Sequence, residues 1–200
     1  MTVFITGGSG SGKSAFAERV AQSLAPSGAP AHGGAFCPLV YVATMPVASP
    51  EDAKKVERHH ALRAGKGFVT LEKPGKLKDL PDGGETMLIE CISTHTANLM
   101  FSTQNAPADA AALEQAAHYA NFWTETLKEE LKPILQRKGN TIFVSAEIAS
   151  DGTTYSPETE AYKKVLTAIN RHLLEQCDAA FELVCGIPVR IKGELPCLKV

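Results

Sequence analysis

No two cysteines in this sequence stand at C-x-x-C spacing, and their number is odd: Cys37, Cys91, Cys177, Cys185 and Cys197 make five. Nothing in this spacing suggests a zinc site or a disulfide framework, and a reducing cytoplasm is the expected setting. Each thiol is expected to be a small buried hydrophobe or idle. Long apolar runs are missing too. The chain opens directly into a short strand with no basic leader, so neither a signal peptide nor a membrane span is expected. Charge of one sign is also missing, since 20 basic and 22 acidic side chains leave a formal net charge of -2. Such a surface exerts no broad pull on nucleic acid or anionic lipid. Aromatic residues are scarce at 6%, and no basic or aromatic stripe is laid out for bases to stack on, which argues against a nucleic-acid partner. Any anionic ligand must therefore be held by a local constellation.

What is present fits one α/β domain over residues 1–200. Val3-Phe4-Ile5 reads as a strand, and Ser14 to Leu24 as a helix packing through Phe16, Val20 and Leu24, with Glu18, Arg19 and Gln22 on the other face. Ala25 to Pro38 reads as an Ala/Gly/Pro-rich loop, Leu39 to Ala43 as a strand, and Pro50 to about Arg63 as a charged helix. Thr86 to Ile92 is an almost continuously apolar run, suited to a strand covered on both faces. Ala108 to Lys138 reads as a helix packed through Leu113, Phe122, Leu127, Leu131 and Leu135. Thr141 to Ser145, Pro157 to Cys177 and Phe181 to Cys185 read as strand, helix and strand, with a short edge piece at Pro188 to Lys192. The alternation predicts a three-layer α/β fold of the P-loop type: a mostly parallel sheet of five or more strands with helices on both faces.

Gly7-Gly8-Ser9-Gly10-Ser11-Gly12-Lys13-Ser14 satisfies G-x-x-x-x-G-K-[ST] and lies between a strand and a helix, the context this motif requires. The glycines let the backbone curl so that its N–H groups face phosphate oxygens, and the helix adds the positive end of its dipole. Lys13 is placed to reach the β and γ phosphates, and Ser14 to offer its hydroxyl to Mg²⁺. A second acidic group for the metal is expected at a strand's carboxyl end, where Glu90 is the first candidate and Glu147 a weaker one.

The pair His59-His60 sits on the charged helix, where adjacent side chains point about 100° apart and do not readily share a metal. By themselves they read as structural. In order along the chain, the P-loop, Tyr41-Val42-Ala43-Thr44, a helical His with Arg four residues on, Leu88-Ile89-Glu90-Cys91-Ile92 and Gly186-Ile187-Pro188-Val189-Arg190-Ile191-Lys192 form a more specific set. This set resembles the bifunctional adenosylcobinamide kinase / adenosylcobinamide-phosphate guanylyltransferase family of cobalamin biosynthesis.

The resemblance implies two reactions: phosphorylation of adenosylcobinamide by ATP or GTP, then transfer of GMP from GTP through a covalent histidine, with release of pyrophosphate. It assigns His59 as the nucleophile in preference to His60. It also implies that Ala43, Thr44, Met45, His60, Ala61, Leu62, Arg63, Glu72 and Glu90 lie at the nucleotide, with Ser14 and Glu90 at Mg²⁺. A homo-oligomer, such as a trimer, is implied by the resemblance alone. Two other readings stay open: a P-loop kinase for another small alcohol with structural histidines, and a nucleotide-dependent binding module. The second lacks the guanine-reading Asn-Lys-x-Asp signature.

Overall fold

The computed structural model describes residues 1–25, 39–47, 49–102, 116–149, 152–153 and 155–196. The side chains of Lys55, His59, His60, Leu62, Ala116 and Ala117 lie outside the described set, as do residues 26–38, where a loop is expected from the sequence, and residues 103–115. The elements run β1 (Thr2–Gly7), α1 (Lys13–Leu24), β2 (Leu39–Ala43), α2 (Pro50–Arg63), β3 (Phe68–Glu72), β4 (Thr86–Glu90), α3 (Ile92–Phe101), α4 (Ala116–Leu135), β5 (Thr141–Val144), α5 (Pro157–Gln176), β6 (Ala179–Val184) and β7 (Ile187–Lys192).

The strands form one seven-stranded sheet in the order β3-β2-β4-β5-β1-β6-β7. Every neighbouring pair is parallel except β6 and β7, which form an antiparallel hairpin. β1 lies deep in the sheet and all six of its residues are buried, as its apolar sequence requires of a strand covered on both sides. Alternate residues feed two cores. Val3, Ile5, Leu88, Ile142 and Phe181 meet Phe16 and Val20 of α1 on one face. Phe4, Met87, Ile89 and Phe143 meet α3, α4 and α5 on the other, through Leu99, Trp123, Leu127, Leu131, Val165 and Ile169.

Two helix starts follow directly from sequence. α2 opens at Ser49, whose hydroxyl accepts from the Asp52 amide at 3.1 Å, with Pro50 following and Glu51 and Asp52 in the first turn. α5 opens at Ser156 with Pro157 next and Glu158 and Glu160 behind it. In both, a hydroxyl cap, a proline that needs no amide partner and acidic side chains near the dipole's positive end act together.

Several expectations are corrected. Ile92 opens a helix rather than closing the strand before it, and Phe68–Glu72, to which the sequence assigned no element, is a strand at the sheet edge. Phe122 is 49% exposed and lies edge-on against Trp123, which with Tyr119 fills the core position instead. Glu18 is buried and paired with Lys66, not on the solvent face. Leu113 lies outside the described residues.

Candidate active site at the carboxyl edge of the sheet

β1 runs into the P-loop, and two positions there favour glycine on backbone grounds. Gly7 has φ +144°, and a Cβ on it would lie 2.5 Å from the Leu183 carbonyl oxygen of β6, the neighbouring strand. Gly12 caps α1 in the left-handed region at φ 93° and supplies no side-chain acceptor, while the first turn carries no acidic residue. The amides at the head of α1 therefore keep their donors and the positive end of the dipole for an anion. The β6–β7 turn braces the loop from outside, through the Gly186 amide donating to the Ser11 carbonyl at 2.9 Å.

The Lys13 ammonium donates to the Gly8 carbonyl at 2.5 Å, folded across the mouth of its own loop. Burial lowers its pKa, opposed by Cys91 and Glu90 nearby. A polyphosphate in the loop would supply the charge stabilisation that Lys13 loses with its hydration. The Ser14 hydroxyl donates to Glu90 Oε1, and Glu90 Oε2 is buried with no hydrogen-bond partner among the described residues. A hydroxyl beside a carboxylate with one unclaimed oxygen is the donor set that Mg²⁺ takes at a phosphate site. Ser14 and Glu90 therefore fit the metal expected of them.

Register fixes the neighbours of Glu90. Glu72, Ala43 and Glu90 lie side by side across β3, β2 and β4, so both acidic candidates stand at the carboxyl edge. Glu72 is exposed there. Thr44 is fully buried and staples β2 to β4: its hydroxyl accepts from the Cys91 amide at 2.8 Å and donates to the Cys91 carbonyl at 2.9 Å. Its own carbonyl accepts from Asn98 Nδ2 at 2.7 Å. Thr44 thus shapes the edge through its hydroxyl and its carbonyl, while Met45 beyond it is half-buried.

α2 meets the sheet at its last residue. The Arg63 guanidinium lies 3.5 Å from the centre of the Tyr41 ring, and Arg63 is the one buried residue among the described side chains of α2. The Tyr41 phenol has its pKa pushed well up, first by burial and then by the Glu90 carboxylate. Tyr41 therefore links the end of α2 to the acidic edge, a role its place in an apolar strand does not announce. Ala61 is exposed, while the side chains of His59, His60 and Leu62 lie outside the described residues.

Cys91, expected to be buried or idle, is half-buried with its sulfur 3.0 Å from the hydroxyls of Ser93 and Thr94. Cys177 is a buried free thiol whose pKa is pushed up to about 12 by burial, and Cys185 is free and exposed. Among the described residues no three His, Cys, Asp or Glu side chains form a metal cluster, and no helix is long and apolar enough to cross a membrane.

A family model described as cobinamide kinase / cobinamide phosphate guanyltransferase matches residues 3–191. The chain belongs to this family. It is therefore a kinase and nucleotidyltransferase of the cobalamin pathway, as the ordered motifs suggested. No curated protein matches the chain. Among solved structures, a KaiC-like protein from the hyperthermophilic archaeon Pyrococcus horikoshii is 13% identical and covers 90% of this chain and 71% of its own, at a TM-score of 0.40.

Proposed function

We propose that this enzyme phosphorylates the aminopropanol hydroxyl of adenosylcobinamide from ATP or GTP, then converts the product to adenosylcobinamide-GDP through a guanylylated His59. The family supplies the two activities. The observation that carries the detailed reading is the meeting of Ser14 and Glu90 at the head of the P-loop, one strand from β2, on which the histidine-bearing helix is anchored through Arg63 and Tyr41.

In the first step the amides of residues 7–14 and the Lys13 ammonium hold the β and γ phosphates, and the acceptor oxygen displaces the nucleoside diphosphate from the γ phosphorus. In the second, a neutral His59 imidazole attacks the α phosphorus of GTP. The bond to pyrophosphate breaks, and the acceptor phosphate then takes GMP from the histidine. Mg²⁺ held by Ser14 and Glu90 would neutralise charge on the phosphate oxygens. Glu72 or Glu90 would read the N1–H and amino group of guanine, and Ala43, Thr44, Met45, His60, Ala61, Leu62 and Arg63 would line the nucleotide. The whole chain would act as one nucleotide-binding unit in the cytoplasm, within a homo-oligomer such as a trimer.

GTP labelled at the α phosphate tests the reading. The expected product is an acid-labile, alkali-stable labelled protein, kept in His60→Ala and lost in His59→Ala. An unlabelled wild-type protein that still phosphorylates cobinamide would favour a kinase with structural histidines.

A further inference from the structure

We infer that Glu147 is the carboxylate that receives the proton of the acceptor hydroxyl in the kinase step, and that Asn170 holds it in place. The inference rests on the cobinamide-kinase reading above. β5 lies between β1, which carries the P-loop, and β4, which carries Glu90. Beyond β5 the chain stays parallel to β1, with the Ser145 amide donating to the Ile5 carbonyl at 2.9 Å.

The peptide joining Ala146 to Glu147 is then fixed at both ends. Its carbonyl accepts from Asn170 Nδ2 of α5 at 3.0 Å, and its N–H donates to the Gly7 carbonyl at 3.1 Å. Gly7 is also paired with Leu183 of β6, and a Cβ on it would press on the Leu183 carbonyl oxygen, so the peptide is tied to a closely packed end of β1. The half-buried Glu147 side chain starts one hydrogen bond from the P-loop. Its Oε1 accepts from the Ala149 amide at 2.8 Å, and its Oε2 has no partner among the described residues.

The other two edge carboxylates are differently placed. Glu90 is engaged by Ser14, and Glu72 stands on β3, beyond β2 and β4. Phosphoryl transfer needs a group that orients the attacking hydroxyl and takes its proton. In the step inferred here the O–H bond breaks toward the Glu147 carboxylate and the acceptor oxygen bonds to the γ phosphorus. The bridging P–O bond breaks with its electron pair leaving on the nucleoside diphosphate. Guanylylation of a neutral imidazole has no hydroxyl proton to remove and does not call on Glu147. Asn170 touches no substrate and acts through the Ala146 carbonyl. Without it that peptide can rotate, and the Glu147 amide can leave Gly7.

The test measures two reactions on Glu147→Gln, Asn170→Ala and the double variant. One is transfer of label from γ-labelled ATP or GTP, whichever the wild type uses, to cobinamide; the other is protein guanylylation from α-labelled GTP. Glu147→Gln is expected to slow the first by about 100-fold or more, within the range of general-base removal, while GTP affinity and guanylylation stay within about threefold of wild type. Asn170→Ala should slow the first reaction by less and add no further loss in the double variant, because it acts through the same side chain. Cobinamide phosphorylation within about threefold of wild type in Glu147→Gln overturns the inference. So does an equal loss of both reactions, which would mark Glu147 as a support of the loop. A wild-type protein that phosphorylates no cobinamide overturns the acceptor reading itself, and this inference with it.

Discussion

Arg63 and Tyr41 share one buried contact, the guanidinium 3.5 Å from the ring centre, with Arg63 only 6% exposed and its Nε without a hydrogen-bond partner among the described residues. A buried charge with an unsatisfied donor is costly by itself, so the ring's electron-rich face has to supply much of the compensation. A desolvated contact of this kind is worth about 2 kcal/mol. Tyr41→Phe keeps the face and should lower stability little. Tyr41→Leu should cost about 2 kcal/mol or more, because it leaves the cation buried and unpaired. Urea unfolding of the two variants measures the difference. Equal stabilities would show that the guanidinium is satisfied elsewhere.

Gly7→Ala should be among the most damaging single-methyl additions to the chain. Its Cβ would press on a backbone oxygen of β6, which cannot rotate away as a side chain can. A destabilisation of at least about 1–2 kcal/mol is expected, with weakened nucleotide binding as the loop shifts. Gly8→Ala is the control, since a Cβ there meets nothing within 4 Å. Thermal melting of the pair decides the matter, because both positions lie in the phosphate loop and they differ in their packing against β6. A Gly7→Ala protein as stable as Gly8→Ala would mean that the β1–β6 junction yields.

Much of this was legible beforehand because the signals were local. The P-loop spells out its own backbone, and α2 and α5 carry a serine cap, proline and acidic residues in order. β3 escaped because an edge strand of mixed exposure carries no apolar run. α3 escaped because Cys91 gives it no side-chain cap and Ile92 extends the apolar run of β4, so sequence alone shows no break. Phe122 and Trp123 are neighbours that compete for one core position, and helix phase is set by packing against α5, not by hydrophobicity. At the site, Glu90 was visible from its place at a strand end. The tie from Asn170 through a peptide to Gly7 joins residues far apart in sequence through main-chain atoms, and no residue type advertises it.

Glu90→Gln should uncouple nucleotide binding from the metal. The wild-type protein is expected to bind GTP more tightly with Mg²⁺ than with a chelator, because Glu90 contributes the one full negative charge of the proposed pair. The amide keeps the shape and a hydrogen-bonding partner for Ser14 but lacks that charge. The metal-dependent gain should shrink by on the order of tenfold to a hundredfold, as when a metal's ligand environment is disturbed. Calorimetric titration with and without Mg²⁺ reads it. An undiminished gain would place the metal on other groups.

Acid stability should depend on Glu130, which lies outside the catalytic edge. Burial pushes its carboxyl up, but a neighbouring His95 at 3.4 Å, the Leu77 amide and Lys76 outweigh this, so the net pKa is below the ordinary value of 4.5. His95 is fully buried, which makes this contact part of the α3–α4 packing. A carboxyl whose folded pKa is depressed adds stability above its unfolded pKa and loses it as pH falls through the folded one. The contribution should thus be complete at neutral pH, decline below about 4.5 and vanish once both states are protonated. Glu130→Gln should lower stability at pH 7 by about 1–3 kcal/mol, the range for a hydrogen bond to a charged group, and flatten the acid limb of the stability curve. Urea midpoints from pH 7 down to pH 3 measure both effects. A variant whose acid limb matched wild type would show that other carboxylates govern acid unfolding and that the His95–Glu130 contact is energetically silent.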